Sequence, residues 1–405
     1  MKNILLLTPV YPGPDAHKST TPVVHYFARE WVKMGYNVMV MHLPANFPNI
    51  VYWFLKPFSE KVGSKAGSEI RTWPLHEQEY EIDDVKIQRF PLSKMKPHAR
   101  FPKNQIEKTV INIIDYCERK GFKPEVIISH WANPCFEIMH NLKSYYNIPT
   151  CYIAHDGGTD LKGIFKKEAK QYIEETDLFG YRSGYIQKCF EEYFGNSSKP
   201  NFLCSSGIPQ YYLENVNKTY SEIHKFIFVG TLFRRKYPAE IIPAVCNSFD
   251  GKDFEIRYIG DGEEIKTTKD VAARYEVEDK VHFLGRIPRE EVLRNLDESD
   301  VFVMISRGET FGLVYLEAMA RGLITIAARK EGFDGIIKDG ENGFLCEAGN
   351  VNELASIIKR LRNMTSDELN MISYNARKTA ENLTDVKAAA TYMSNIEKYC
   401  FNENL

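Results

Sequence analysis

Ser306-Arg307-Gly308-Glu309-Thr310-Phe311-Gly312-Leu313-Val314-Tyr315-Leu316-Glu317-Ala318-Met319-Ala320 is the stretch whose reading decides the fold. The apolar run Val301 to Ile305 in front of it predicts a buried parallel strand. Leu313 to Arg321 behind it predicts a helix, stopped by Gly322. Glu309 then falls on the strand-to-helix loop at the carboxyl end of the strand, and Glu317 about one turn inside the helix. In an open α/β sheet, ligands bind in the crevice outside those carboxyl ends. The turn through Thr310, Phe311 and Gly312 aims backbone N–H groups and the positive helix end into the same space, which suits an anion. Carboxylates accept hydrogen bonds from hydroxyls. The combination therefore suits a ligand that carries both hydroxyls and phosphate, as a nucleotide-sugar does. Two bare glutamates would read as surface residues at an ordinary helix start; the residues around them decide otherwise.

The phrase Glu309-Thr310-Phe311-Gly312 followed by Leu316-Glu317-Ala318-Met319-Ala320-Arg321-Gly322 resembles the E-x7-E element of retaining glycosyltransferase family 4, which has the GT-B architecture. Gly332, Gly335-Ile336-Ile337, Asp339-Gly340 and Asn342-Gly343-Phe344-Leu345 are similar to that family's closing loop and strand. The resemblance runs through most of the C-terminal half. It implies an α/β fold of two Rossmann-like parallel-sheet domains facing across a cleft. It also implies transfer of a hexose-type sugar, with retention, from a nucleotide diphosphate donor to a hydroxyl of a saccharide or lipid-linked acceptor.

Composition agrees with two domains. The 405 residues exceed what one core supports, and 43% hydrophobic with 26% charged residues is an ordinary globular mix. A formal charge of −2 gives no reason to expect nucleic acid. The eight cysteines are scattered singly, without metal-ligand spacing, which fits a reducing cytoplasm. The opening Met1 to Pro9 is too short an apolar run for a signal sequence and reads as a first strand, and no run approaches the length that spans a bilayer.

Strand-like and helix-like runs alternate throughout. Strands are expected at 4–8, 37–42, 85–90, 125–130, 150–155 and 201–204, and helices at 22–34, 105–120, 133–146 and, as one long element, 165–194. A second series of strands is expected at 225–230, 254–259, 280–284, 300–305 and 323–327. The polar, turn-rich stretch Ser206 to Glu222 reads as the interdomain link. The domains are placed at 1–207 and 208–383; by the resemblance, a last helix within 384–405 returns to the first.

Breaking a nucleotide-sugar bond leaves a diphosphate whose charge needs cations. Phe228-Val229-Gly230-Thr231-Leu232-Phe233-Arg234-Arg235-Lys236 ends a strand and follows it with three. By the resemblance, Lys236 matches the family lysine on the diphosphate. The family arginine after Gly230 is Thr231 here, so Arg235 or Arg234 takes that part. Carboxylates would repel the diphosphate and so face hydroxyls: the resemblance gives Glu309 the donor sugar and Glu317 the ribose. Backbone around Phe311, Gly312 and Leu313 is placed for sugar and phosphate oxygens, with the Phe311 ring a core anchor. By the resemblance, backbone at Ile287 or Arg286 would lie along the nucleotide base, unless this segment is a plain strand end. Gly260-Asp261-Gly262 lacks the third glycine of a dinucleotide fingerprint, and Asp261-Gly262-Glu263 is a poor metal signal, so no required metal or cofactor is expected.

In the first half, His130 in Ser129-His130-Trp131-Ala132-Asn133-Pro134 matches the family histidine next to the reacting sugar, with an orienting role. Asp156 or Asp160 would contact acceptor or cap a helix. Ser19, Thr20 and Thr21 stand where many family members carry a glycine pair. Lys86, Arg89, Lys94, Lys96, Arg100 and Lys103 fall in a stretch without carboxylates, near the aromatic run Phe47 to Leu55. Such a combination docks an anionic membrane surface, giving a peripheral contact at the inner membrane face, or else is a solvated loop beside a packed helix. Three other readings share the architecture: a phosphorylase, a sugar-nucleotide epimerase and a non-catalytic sugar-nucleotide-binding subunit.

Overall fold

Ile4-Leu5-Leu6-Leu7 is buried at every residue, and a run like this needs cover on both faces. The computed structural model supplies it with parallel sheets layered between helices. It describes residues 1–15, 22–55, 71–96, 99–196, 198–249 and 253–401. The chain forms two units: one runs to Ser206 and resumes at Asp385, the other is Gly207–Thr384.

The first unit contains β1 (Asn3–Thr8), β2 (Asn37–His42), β3 (Ala45–Asn46), β4 (Gln78–Ile82), β5 (Val85–Arg89), β6 (Leu92–Ser93), β7 (Val126–His130), β8 (Thr150–Ala154), β9 (Leu178–Tyr181) and β10 (Asn201–Leu203). Its main sheet has the order β10-β9-β8-β7-β1-β2-β5-β4. All its pairs are parallel except β4 with β5. The order reverses between β1 and β7, so the carboxyl end of β7, where His130 lies, sits at the switch point. Two apolar clusters cover the faces of the sheet. The helix Asp385–Ile396 closes one of them against the helix Val23–Lys33. Arg29 donates to Asp385 at 2.6 Å, Trp31 Nε1 donates to the Ala389 carbonyl at 3.1 Å, and the Trp31 and Tyr392 rings meet edge-on at 4.8 Å.

The second unit contains β11 (Lys225–Val229), β12 (Glu255–Ile259), β13 (Val281–Gly285), β14 (Val301–Met304), β15 (Ile324–Ala328) and β16 (Phe344–Cys346). The sheet is parallel, in the order β13-β12-β11-β14-β15-β16. Its switch point lies between β11 and β14, whose carboxyl ends lead into Gly230 and Glu309 respectively. One apolar cluster fills this unit, and each fully buried Leu, Ile or Phe in it contributes about 1.5–3 kcal/mol.

Two expectations are corrected. The single helix over 165–194 is interrupted: a helix Glu168–Glu175, then β9, then a helix Gly184–Phe194. Thr176 turns extended at ψ 137°, and the Asp177 carboxylate accepts from the Thr150 N–H at 2.8 Å and from Lys143 at 2.6 Å, which ties the segment to β8. Gly180, the weakest helix former there, lies where a Cβ would meet Ile153 at 2.3 Å. Close packing against β8 therefore wins over helical pattern. The stretch from Ser206 to Glu222 is not a free link either. From Gly207 it packs into the second unit, because its spaced apolar residues Ile208, Tyr212 and Tyr220 are buried there. Arg321 holds it by donating to the Tyr212 carbonyl at 2.9 Å and the Glu214 carbonyl at 2.7 Å.

Candidate functional site at the carboxyl edge of the second sheet

Three strand ends are laced together at this edge. The Gly230 N–H donates to the Ile259 carbonyl at 2.9 Å, and the Gly260 N–H to the Gly285 carbonyl at 2.8 Å. Only glycine fits at 260, with φ +129° and a Cβ that would stand 2.0 Å from the Gly230 carbonyl oxygen. From Gly230 the chain passes into a short turn, Arg234–Lys236. A Cβ at Gly230 would lie 3.0 Å from Lys236 Nζ, so the absent side chain leaves that ammonium room at the switch point. Burial pulls the Lys236 pKa below the usual lysine range; nearby Glu309 opposes the shift and Arg235 adds to it.

The β11 and β14 loops grip each other. The Arg307 N–H donates to the Arg235 carbonyl at 2.7 Å, and Arg235 Nη1 donates back to the carbonyls of Arg307 at 3.2 Å and Gly308 at 3.3 Å. The Arg235 guanidinium stands 3.7 Å from the Glu309 carboxylate. Glu309 is fixed by its backbone: its N–H donates to Glu331 at 2.7 Å and its carbonyl accepts from the Gly332 N–H at 2.8 Å. Its carboxylate is left with a long contact from Ser306 Oγ at 3.5 Å and the Arg235 pair. Burial raises the pKa of the supporting Glu331 carboxyl, and the backbone N–H groups of Glu309 and Gly308 draw it back.

The helix Leu313–Ala320 starts at Gly312, which adopts φ +82° and brings no capping side chain to the first N–H groups. A Cβ there would stand 2.4 Å from the Tyr315 ring, whose hydroxyl donates to the Met304 carbonyl at 2.7 Å and shares a 3.0 Å hydrogen bond with Ser306. The Phe311 ring is buried edge-on to Phe333 at 5.6 Å, so this residue offers the site backbone only. Glu317 is 8% exposed, a turn inside the helix, with Arg289 donating to it at 3.4 Å. Burial raises its pKa, while the Arg289 guanidinium and the Tyr212 phenol draw it back down. Leu313 and Ile287 are half-buried against the core of this unit, and Arg286 is exposed.

Gly230, Arg235, Lys236, Glu309 and Gly312 thus gather at one switch point, and Glu317 lies farther along the same helix. Ser306, Tyr315, Glu331 and Arg289 escaped the sequence reading. Glu331 and Arg289 each follow a strand end of this sheet, a signal that could have found them. Among the described residues no His, Cys, Asp and Glu cluster has the makings of a metal site.

In the first unit, His130 is fully buried, with Nδ1 2.9 Å from His155 Nε2 and Nε2 3.4 Å from the Tyr392 hydroxyl. His155 is half-buried and stacks on Trp131 at 3.7 Å, so it is the outer member of the pair. Burial drives both pKa values well below the usual histidine range, with Arg182 adding to the shift. Two neutral rings satisfy the nitrogen–nitrogen contact, one donating and one accepting. Asp156 accepts from the Gly158 and Asp160 N–H groups and the Thr159 hydroxyl, at 3.3, 2.8 and 2.6 Å, so it caps the turn that follows β8. Ser19, Thr20 and Thr21 lie outside the described residues.

The basic stretch is corrected in part. Arg89 is buried and bidentate on Asp15 at 2.9 and 3.0 Å, while Arg100 is bidentate on Glu137 at 2.8 and 3.1 Å and also reaches Glu168 at 2.7 Å. The carboxylates missing from the local sequence are supplied by the fold. Among the described residues no helix is long and apolar enough to cross a membrane.

The chain is 34% identical over 136 residues to the N-acetyl-alpha-D-glucosaminyl L-malate synthase of Bacillus anthracis, covering 33% of this chain and 35% of that protein. It is 30% identical over 243 residues to an uncharacterized glycosyltransferase of Methanocaldococcus jannaschii, covering 59% of this chain and 66% of the relative. The chain thus spans about a third to two thirds of these relatives' length. Among solved structures it resembles Anabaena HepE in complex with UDP, at TM-score 0.70 and 16% identity, over 98% of this chain and 100% of that one. It also resembles the sucrose-phosphate synthase of Thermosynechococcus elongatus, at TM-score 0.69 and 18% identity, over 98% of both chains. Residues 213–379, nearly the whole of the second unit, match the family model described as glycosyl transferases group 1, and the two parallel-sheet domains have the fold of GT-B glycosyltransferases.

Proposed function

We propose that the protein is a retaining glycosyltransferase of the family 4 type, moving a hexose-type sugar from a nucleoside diphosphate sugar to a hydroxyl of a saccharide acceptor. The observation that carries this reading is the meeting of the Arg235–Lys236 loop with Glu309 at the switch point, which sets cations and a hydroxyl acceptor side by side. Lys236, with Arg235, stabilises the leaving diphosphate; Glu309 accepts hydrogen bonds from the donor sugar; Glu317 accepts from the ribose; backbone at Gly312, Leu313 and Ile287 lines the rest. In the first unit, the neutral His130 ring has an orienting role. The complex of Anabaena HepE with UDP supports a nucleotide donor for this fold. The test is a panel of UDP-, GDP- and ADP-sugars offered to purified protein, with transfer and hydrolysis followed by mass. Turnover with one donor class is expected. Saturable nucleotide-sugar binding without turnover on any donor would leave a binding subunit instead.

Glu317 gives this reading a pH signature. A ribose-binding carboxylate works only when ionised, so donor affinity holds above its pKa and is lost as pH falls through it. Burial raises that pKa, which moves the loss upward from the ordinary carboxylate range. Arg289→Ala removes the main opposing group, so the rise in donor KM should begin at a still higher pH, with kcat moving less. Donor KM measured against pH in both proteins checks this. Superimposable profiles would detach Arg289 from the nucleotide site.

A further inference from the structure

Tyr237 follows Arg235 and Lys236 directly and holds a backbone conformation that its side chain disfavours. Its φ and ψ are 52° and 47°, in the left-handed region, where a bulky residue is rare and glycine is at ease. Among the described residues of the second unit it is the only aromatic one with positive φ. Its N–H donates to the Arg234 carbonyl at 3.2 Å and closes the turn Arg234–Lys236. A strained residue of this kind persists only where its surroundings over-determine it. Two contacts do so. The ring lies against Gly349, where an added Cβ would stand 2.7, 2.8 and 3.0 Å from three of its carbons. Gly349 is itself left-handed at φ +73°, so conformation and space both exclude a side chain there. The Gly349 N–H donates to the Ile305 carbonyl at 3.3 Å, just past the end of β14 and ahead of Ser306 and Glu309. On the other side, the Pro238 carbonyl accepts from the buried Tyr258 hydroxyl of β12 at 2.7 Å. The turn after β11 is thus held through both strands that flank β11.

The seat of Lys236 follows from this arrangement. Its N–H donates to the Phe233 carbonyl at 2.9 Å, and its Nζ stands in the space left by Gly230, near Glu309 and Arg235. Rotating residue 237 out of the left-handed region would swing the end of the turn that carries this lysine. We propose that Tyr237 is the positioning residue of Lys236: its ring, seated on Gly349, fixes the turn that points the ammonium into the switch point. What the ammonium does there rests on the proposed transferase reading. Where it is held does not.

The lysine itself can be watched in the full-length protein. Reductive methylation with isotope-labelled formaldehyde gives each lysine an NMR signal, and the Lys236 signal is the one absent from Lys236→Met. In the wild type it should titrate below the usual lysine range, because the ammonium is buried. Tyr237→Gly tolerates the left-handed turn but removes the ring, so the signal should titrate higher, toward the ordinary range. Affinity for nucleoside diphosphate should then fall about tenfold, with monophosphate affinity little changed. Tyr237→Phe keeps the ring and should titrate as the wild type does. Gly349→Ala drives a methyl into the ring and should act like Tyr237→Gly, which keeps the test open if that variant does not fold. An unchanged Lys236 titration in folded Tyr237→Gly or Gly349→Ala, or an equal change in Tyr237→Phe, would overturn the proposal. If the titration moves while Lys236→Met binds diphosphate like wild type, the positioning stands and the phosphate role of Lys236 falls. If Lys236→Met loses diphosphate while Tyr237→Gly keeps it and leaves the signal in place, the positioning falls and the transferase reading stands.

Discussion

Glu309→Gln should lower the turnover of sugar transfer by about 100- to 1000-fold, the range seen when one preorganised group at a reacting centre is lost. The substitution keeps shape and removes charge. It leaves the backbone anchors to Glu331 and Gly332 in place, since both use main-chain atoms of residue 309. The carboxylate's own contacts are long, 3.5 Å from Ser306 and 3.7 Å from Arg235, and its side chain is 16% exposed, so little stability depends on it. Melting temperature and the affinity for free nucleoside diphosphate should therefore stay near wild type while the rate collapses. That split matters, because a merely structural glutamate would lose stability and activity together. Rates at saturating donor, a calorimetric titration with nucleotide and a melting curve decide it. A variant that turns over like wild type would remove Glu309 from the reaction.

The local geometry around Glu309 and Glu317 was legible in sequence because its parts are local. A buried strand, a glycine turn and a helix follow one another within about twenty residues of chain, and each step has its own signal. Strand positions in the second unit fall within a residue or so of the expected ones for the same reason. What sequence could not supply is the strand order. That β11 lies beside β14, so that the Gly230 loop and the Glu309 loop share hydrogen bonds, is a matter of tertiary pairing between segments about seventy residues apart. The supports Glu331 and Arg289 were missed on that account. The first unit was harder, because its exceptions are non-local. β9 forms where Asp177 and Gly180 lock onto β8 against local helical pattern. Arg89 and Arg100, solvated cations by local composition, find Asp15, Glu137 and Glu168 across the fold. His130 sits at the expected strand end, but its burial behind His155 and Trp131 depends on β8 lying alongside β7.

Lys236→Met should lower turnover on a scale comparable to the Glu309 substitution, about 100-fold or more, because it deletes positive charge where the leaving diphosphate gathers negative charge. Lys236 is the more telling of the two loop cations. Arg235 is already engaged with the carbonyls of Arg307 and Gly308 and with Glu309, so a substitution there disturbs the β11–β14 grip as well as the charge. Lys236 Nζ stands instead in the space that Gly230 leaves open. Its lowered pKa marks an ammonium whose hydration is largely stripped, and a dianionic phosphate arriving beside it would restore the charged form's advantage. Methionine preserves the stem and the packing, which isolates the charge. Product inhibition separates electrostatics from general damage: affinity for nucleoside diphosphate should fall steeply and affinity for the monophosphate much less. On the proposed reading the two cations stand in for a metal, so chelation with EDTA should leave the wild-type rate unchanged. A chelator-sensitive rate combined with an active Lys236→Met variant would transfer the role from this lysine to a bound cation.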